Sequence, residues 1–168
     1  MPLMWWVVAV VVVVVLVATY LTWTAARVDR LHARASAAYA TLDAHLVRRA
    51  AAAVALAEAA QVPTLIFAAR IALDARPEDR EAAENDLTRH LRGVVGEPFE
   101  LLAAFEPLVA ASRRVALARQ VHNDVVRDAL AVRRRVWVRL FRLARKHPRP
   151  AYFDVDDPTL EVPVAPST

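Results

Sequence analysis

The chain has 168 residues and a formal net charge of +4, from 22 Lys and Arg against 18 Asp and Glu. The absence of cysteine excludes disulfides, thiolate metal sites and lipoprotein attachment. Because it contains only two glycines and is 57% hydrophobic, the composition argues against a β-rich or α/β fold and favours long helices.

The first 26 residues contain no charged side chain and predict a membrane-spanning helix. The apolar run from Met4 to Trp23 reaches the roughly 20 residues that a bilayer requires. Aromatic residues mark both ends of this run: Trp5 and Trp6 at one, Tyr20 and Trp23 at the other. No Lys or Arg precedes the run, so an uncleaved signal anchor is favoured over a cleaved signal peptide. We assign residues 1–26 to the anchor and expect residues 3–25 to contact lipid.

The charges that flank the apolar run predict its orientation. Arg27, Arg30 and Arg34 follow the run and are opposed by Asp29 alone, whereas only the α-amine precedes it. The positive-inside rule therefore places the N-terminus outside and the following domain in the cytoplasm. We expect a single-pass protein of the cell membrane.

Beyond the anchor, the spacing of apolar residues predicts an all-α fold, in which the span continues into an antiparallel up-and-down bundle of three to four helices over residues 27–147. The first helix should continue out of the span and end at Val62–Pro63. Two further helices are expected over Thr64–Ala75 and from Pro77 to a stop signal at Gly96, Glu97 and Pro98.

The last helix is expected to begin near Pro98 or Pro107 and to end before Pro148. Its apolar stripe comprises Phe105, Leu108, Ser112, Val115, Ala118, His122, Val126, Ala129, Val132, Val136, Leu140 and Leu143. Residues 148–168 are rich in proline and acidic side chains, which predicts a largely disordered tail.

Two stretches of the chain carry a family pattern. The segment after the span, Val28 to Arg49, has Leu46 followed after a short gap by a double Arg. The stretch Val115 to Val126 has Ala118-Arg119, then His122-Asn123 and a Val, and Tyr152-Phe153-Asp154 closes the pattern. In order and spacing, residues 27–50 and 112–154 resemble the LemA family of bacterial membrane-anchored helical proteins.

The chain also departs from the LemA pattern. Ala50 to Ala55 stand where the family usually continues Asp-Leu-Ile-Pro-Asn. Ser112 replaces a usual Glu, His122 a usual Tyr, and Val136-Trp137 a usual Phe-Pro. The chain therefore resembles a divergent branch. The resemblance implies an N-outside anchor, a cytoplasmic antiparallel helical bundle and no enzyme activity.

The histidines show no metal-binding pattern. They are His32, His45, His90, His122 and His147, and none pairs at a spacing of four. A di-metal helical bundle uses Glu-x-x-His on two helices, whereas here only Asp29 precedes a histidine by three. We therefore expect no catalytic, cofactor-binding or metal-binding residue. On the apolar stripe, His122 is either a ligand or proton site or, as we favour, a core histidine that sets helix register.

A basic run occupies residues 133–149, inside a stretch without acids from Ala129 to Phe153. Its cations are Arg133, Arg134, Arg135, Arg139, Arg142, Arg145, Lys146 and Arg149, with Trp137 and Phe141 among them. Three interpretations remain open: a solvated helix face, contact with anionic lipid head groups, or nucleic-acid binding. Nucleic acid is not expected because no recognised binding motif accompanies the charge. Lipid contact requires four alternating helices, which return this run to the membrane.

The function that the sequence predicts is non-catalytic. We expect a membrane-tethered interaction or scaffolding protein of the LemA type, whose partners are unidentified membrane or envelope proteins. One alternative is an accessory or regulatory subunit of a membrane enzyme or transporter. A weaker alternative is an anchored nucleic-acid-binding module.

Overall fold

The computed structural model describes residues 2–94, 103–156 and 158–160, and within these ranges all regular structure is helical. The helices are α1 (Pro2–Ala59), α2 (Pro63–Asp74), α3 (Arg80–Val94), α4 (Phe105–Arg133) and α5 (Val136–Leu140). The predicted all-α class is confirmed.

α1 is a single helix of 58 residues, as the unbroken periodicity predicts. Every side chain from Met4 to Tyr20 is exposed, and α1 is long and apolar enough to cross a membrane. The chain leaves the helix at Gln61, whose φ of 55° is left-handed, and at the extended residue Val62. Pro63 then occupies the first turn of α2, where its missing N–H costs no helical hydrogen bond.

The other helix boundaries agree less closely with those predicted from the sequence. α3 begins at Arg80, because residues 77–79 form a turn instead of the expected first helical turn. α4 begins at Phe105 and contains Pro107 in its first turn. The predicted stop at residues 96–98 and the alternative start at Pro98 lie outside the described residues.

The chain divides into two compact units, one formed by residues 1–37 and 124–151 and the other by residues 38–123 and 152–168. In the second unit, α1, α2, α3 and α4 share one hydrophobic core. Its largest members are Leu56, Leu65, Leu87, Leu91, Phe105, Leu108 and Leu160. Alanines supply much of the rest, which allows close approach of the helix backbones. A smaller cluster in this unit joins Leu42, Leu46, Val115, Phe153 and Val155.

The first unit has its own small cluster, and it corrects the predicted last helix. Val28 of α1, Val132 of α4 and Val138 of α5 are buried together. The apolar stripe was expected to continue to Leu143, but α4 ends at Arg133 and Arg135 is extended, with φ −61° and ψ 137°. This break turns the chain so that Val138 packs on α1. Val136 and Leu140 of the predicted stripe are consequently exposed.

The beginning of the tail is packed, contrary to the predicted disorder. In the second unit, Phe153 and Val155 are buried in the cluster with α1 and α4, and Leu160 joins the larger core. Asn123 anchors the extended backbone here, since its Nδ2 donates to the Phe153 carbonyl at 3.1 Å and the Phe153 N–H donates to its Oδ1 at 2.9 Å. Residues 161–168 lie outside the described residues.

Candidate functional site

The most polar part of the core is a buried ion pair in the second unit. The guanidinium of Arg49 in α1 donates from Nη1 to Glu84 Oε2 at 2.8 Å and from Nη2 to Thr88 Oγ1 at 2.9 Å, both on α3. Its Nε donates to Ser112 Oγ on α4 at 3.2 Å. All four residues are 0% exposed. One arginine therefore joins three helices through directional bonds.

Burial governs the electrostatics of this cluster. Desolvation raises the pKa of the Glu84 carboxyl, and the adjacent Arg49 guanidinium opposes that rise. The second carboxylate oxygen, Glu84 Oε1, is buried with no hydrogen-bond partner in the described part of the chain. With both charges enclosed, the cluster serves to pair helices and offers no open position for a substrate.

Sequence reasoning missed this cluster, although a signal was present. Arg49 lies three residues after Leu46 and directly before Ala50, both on the predicted apolar stripe of α1. Glu84 and Thr88 are four residues apart, each next to a buried position of α3. A cation and an acid that border two apolar faces can pair between helices, but periodicity does not show which acid meets which cation.

The histidines occupy separate environments. His122 is buried in the second unit and meets the Tyr39 ring of α1 edge-on, with ring centroids 5.7 Å apart. It therefore packs against the first helix. His90 Nδ1 lies 2.9 Å from the Asp86 carbonyl oxygen, and the half-buried His45 belongs to α1. Among the described residues, no group of three or more His and acidic side chains could hold a metal ion.

In the first unit the structure brings two distant histidines together. The rings of His32 and His147 stack with centroids 4.3 Å apart, and His147 Nε2 lies 2.8 Å from Asp29 Oδ1. Burial lowers the pKa of His32, and the charges of His147 and Arg133 lower it further.

The basic run forms an exposed surface in the first unit. Arg133 is half-buried, and its guanidinium donates to the carbonyl oxygens of Ala144 at 3.2 Å, His147 at 3.2 Å and Pro148 at 3.1 Å. The remaining cations are exposed: Arg134, Arg135, Arg139, Arg142, Arg145, Lys146 and Arg149. The predicted cations thus divide into one that holds the backbone and seven that face outward.

Large apolar side chains are exposed among these cations. They are Val136 (73% exposed), Trp137 (53%), Leu140 (64%) and Phe141 (44%). The Trp137 and Phe141 rings stack with centroids 6.2 Å apart. We call this set of four side chains, together with the exposed cations of residues 134–146, the interfacial surface. The break after α4 turns this segment so that Val138 packs on α1 while these four side chains stay exposed.

A second exposed apolar feature lies in the second unit, between α2 and α3. A groove of about 890 Å³ is lined by Phe67 and Ile71 of α2 and by Ala82 and Asp86 of α3. Phe67 is 73% exposed and Ile71 is 55% exposed, although both belong to the apolar sequence of α2. The groove offers apolar contact and no buried cluster of reactive side chains.

Comparison with known proteins gives no relative of this chain: no family model, no curated protein and no solved structure matches it. The geometry itself defines the class. Over the residues that the structure describes, this is an all-helical protein whose N-terminal helix is long and apolar enough to span a membrane.

Proposed function

We propose that this protein is a non-catalytic, membrane-anchored helical-bundle protein of the LemA type, which acts as an interaction or scaffolding module at the cytoplasmic membrane. The observation that carries the proposal is the division of α1. Its side chains are exposed from Met4 to Tyr20, whereas from Val28 onward the same helix contributes buried side chains to the helical part of the chain. A helix with both properties suits lipid at one end and protein at the other.

The contacts of α1 with α4 support the bundle part of the proposal. In the second unit Arg49 meets Ser112, Leu46 shares a cluster with Val115, and Tyr39 meets His122. Later residues of α4 meet earlier residues of α1, as in an antiparallel pair. These contacts also join residues of the two LemA-like stretches, 27–50 and 112–154.

The proposed topology places the N-terminus outside and the helical domain in the cytoplasm. Because the chain has no cysteine, single cysteines report topology directly. In spheroplasts, a membrane-impermeant maleimide should label a cysteine appended to the N-terminus. It should label Ser36→Cys, an exposed position of α1, only after permeabilisation. The reverse pattern would contradict the orientation, and loss of the chain from the membrane fraction would contradict the anchor.

Affinity capture of the full chain from detergent-solubilised membranes tests the function. We expect several membrane or envelope proteins to be retained. The control is Val12→Arg, which places a charge at the centre of the span at a cost of about 2.5–3.5 kcal/mol and should abolish membrane-dependent capture. One enzyme or transporter retained in fixed stoichiometry would favour a regulatory subunit instead. Retained DNA would favour the nucleic-acid alternative, and an empty capture would contradict the scaffolding role.

A further inference from the structure

We propose that the interfacial surface binds the anionic phospholipid head groups of the bilayer that α1 crosses. The proposal rests on the anchor of the proposed function and adds a second membrane contact, made by the chain after α4. The proposed ligand is the lipid surface adjacent to the end of the span.

The position of α5 in the first unit supports contact with the lipid head groups. Val138 of α5 is buried against Val28 of α1, and Val28 is five residues beyond Trp23, the last aromatic residue of the apolar run. Five residues of helix rise about 7.5 Å. The head-group layer on each side of a bilayer is roughly 5–8 Å thick. If Trp23 marks the hydrocarbon boundary, α5 lies at head-group depth.

The burial pattern along α1 agrees with that depth. From Met4 to Tyr20 every side chain is exposed, whereas Thr24 and Val28 are buried and Leu21 is half-buried. Other parts of the protein therefore begin to bury α1 at the end of the apolar run. Aromatic side chains such as Trp23 favour the membrane interface at that depth.

The four apolar side chains of the interfacial surface are unfavourably exposed to water. Val136, Trp137, Leu140 and Phe141 are all exposed within six residues of chain. A compact apolar patch rimmed by charges marks a protein or membrane contact. Short amphipathic segments that lie in the interface insert such side chains between head groups, and a stacked Trp and Phe pair is suited to that depth.

The charge of the surface selects anionic lipid. Its exposed cations lie in a stretch without acids from Ala129 to Phe153, so no carboxylate of this stretch neutralises them. Each Lys or Arg near an anionic membrane surface improves association roughly fivefold. A nucleic acid could satisfy the arginines but would leave Val136 and Leu140 in water. A lipid surface accommodates both kinds of side chain.

The surface is also held in one conformation. The guanidinium of Arg133 donates to the carbonyl oxygens of Ala144, His147 and Pro148, which fastens the turn after α5 to the end of α4. These bonds involve only Arg133 and backbone oxygens, so they leave the exposed arginines of the interfacial surface available for phosphate groups. Pre-organisation of this kind lowers the entropic cost of binding.

Full-length protein in liposomes tests the proposal, with an environment-sensitive NBD label on a single cysteine. The test position is Leu140→Cys and the matched control is Leu117→Cys in α4, since both leucines are 64% exposed. In bilayers that contain phosphatidylglycerol, we expect blue-shifted emission and quenching by doxyl lipids at residue 140 and neither at residue 117. Far-UV circular dichroism verifies that each variant keeps its helix content.

Charge variants test whether the cations attract the interfacial surface to the bilayer or merely lie close to it. Arg139→Gln with Arg145→Gln should reduce the ratio of engaged to free label at residue 140 by roughly 25-fold in anionic bilayers, at about fivefold per cation. The control pair Arg113→Gln with Arg114→Gln, two exposed arginines of α4, should leave that ratio unchanged.

A label at Val12→Cys in the span distinguishes failure of the interfacial surface from failure of the membrane anchor. Quenching at residue 12 without quenching at residue 140 would overturn the interfacial surface and leave the anchor intact. No quenching at either position would overturn both. Binding of duplex DNA through Arg139 and Arg145, with residue 140 unquenched, would assign the surface to nucleic acid.

Discussion

Replacement of Arg49 by methionine should lower the free energy of unfolding by about 3–5 kcal/mol, because it leaves the Glu84 carboxylate buried without its counter-charge. The side chain loses hydrogen bonds to α3 and α4 at the same time. Urea unfolding of the detergent-solubilised full chain, followed by far-UV circular dichroism, measures the change as a lower midpoint.

Two controls make this prediction specific to the buried pair. Arg48→Met removes a neighbouring, exposed arginine and should change stability by no more than about 0.5 kcal/mol. The double variant Arg49→Met with Glu84→Met removes both charges and should regain most of the loss, since apolar replacement of a buried pair is often neutral or stabilising. Equal effects of Arg48→Met and Arg49→Met would show that the pair contributes nothing particular.

Replacement of Phe153 by alanine should cost about 3–5 kcal/mol, the usual range for a large aromatic side chain removed from a core. Phe153 is 3% exposed and packs with Leu42, Leu46 and Val115, so alanine leaves a cavity between α1 and α4. The same urea titration measures the loss.

The matched control for this prediction is the preceding residue. Tyr152 is 48% exposed, and Tyr152→Ala should change stability by about 0.5 kcal/mol or less. A Phe153→Ala variant as stable as the wild type would mean that residues 152–156 do not pack in solution, which would restore the disordered tail that composition predicts.

Local signals account for the elements that could be predicted from the sequence. The apolar run and the unbroken periodicity after it predict one long first helix, because helix formation depends on neighbouring residues. The end of α1 before Pro63 follows from the chemistry of proline itself. The buried positions Leu87 and Leu91 of α3, and Leu108, Val115 and Val126 of α4, follow the helical spacing.

The break after α4 could not be predicted in this way. Arg134 and Arg135 are acceptable helix residues, and neither proline nor glycine lies near them. The helix ends there because Val138 finds a buried position against Val28, a residue more than a hundred positions earlier. The alternation of Phe153 and Val155 is similarly too short to outweigh the surrounding prolines and acids. Hydrogen bonds with Glu81, Asn85 and Asn123 hold this segment in the tertiary structure.

The sequence by itself therefore determined the helical class, the continuous first helix and the apolar run, because each depends on residues close together in the chain. Only the tertiary structure decided which charges pair in the core, where the last long helix ends and which apolar side chains remain exposed beside the basic run. These depend on contacts between distant segments, such as Arg49 with Glu84 and Val28 with Val138. Periodicity identifies the face that a residue occupies, whereas packing selects the partner that it meets.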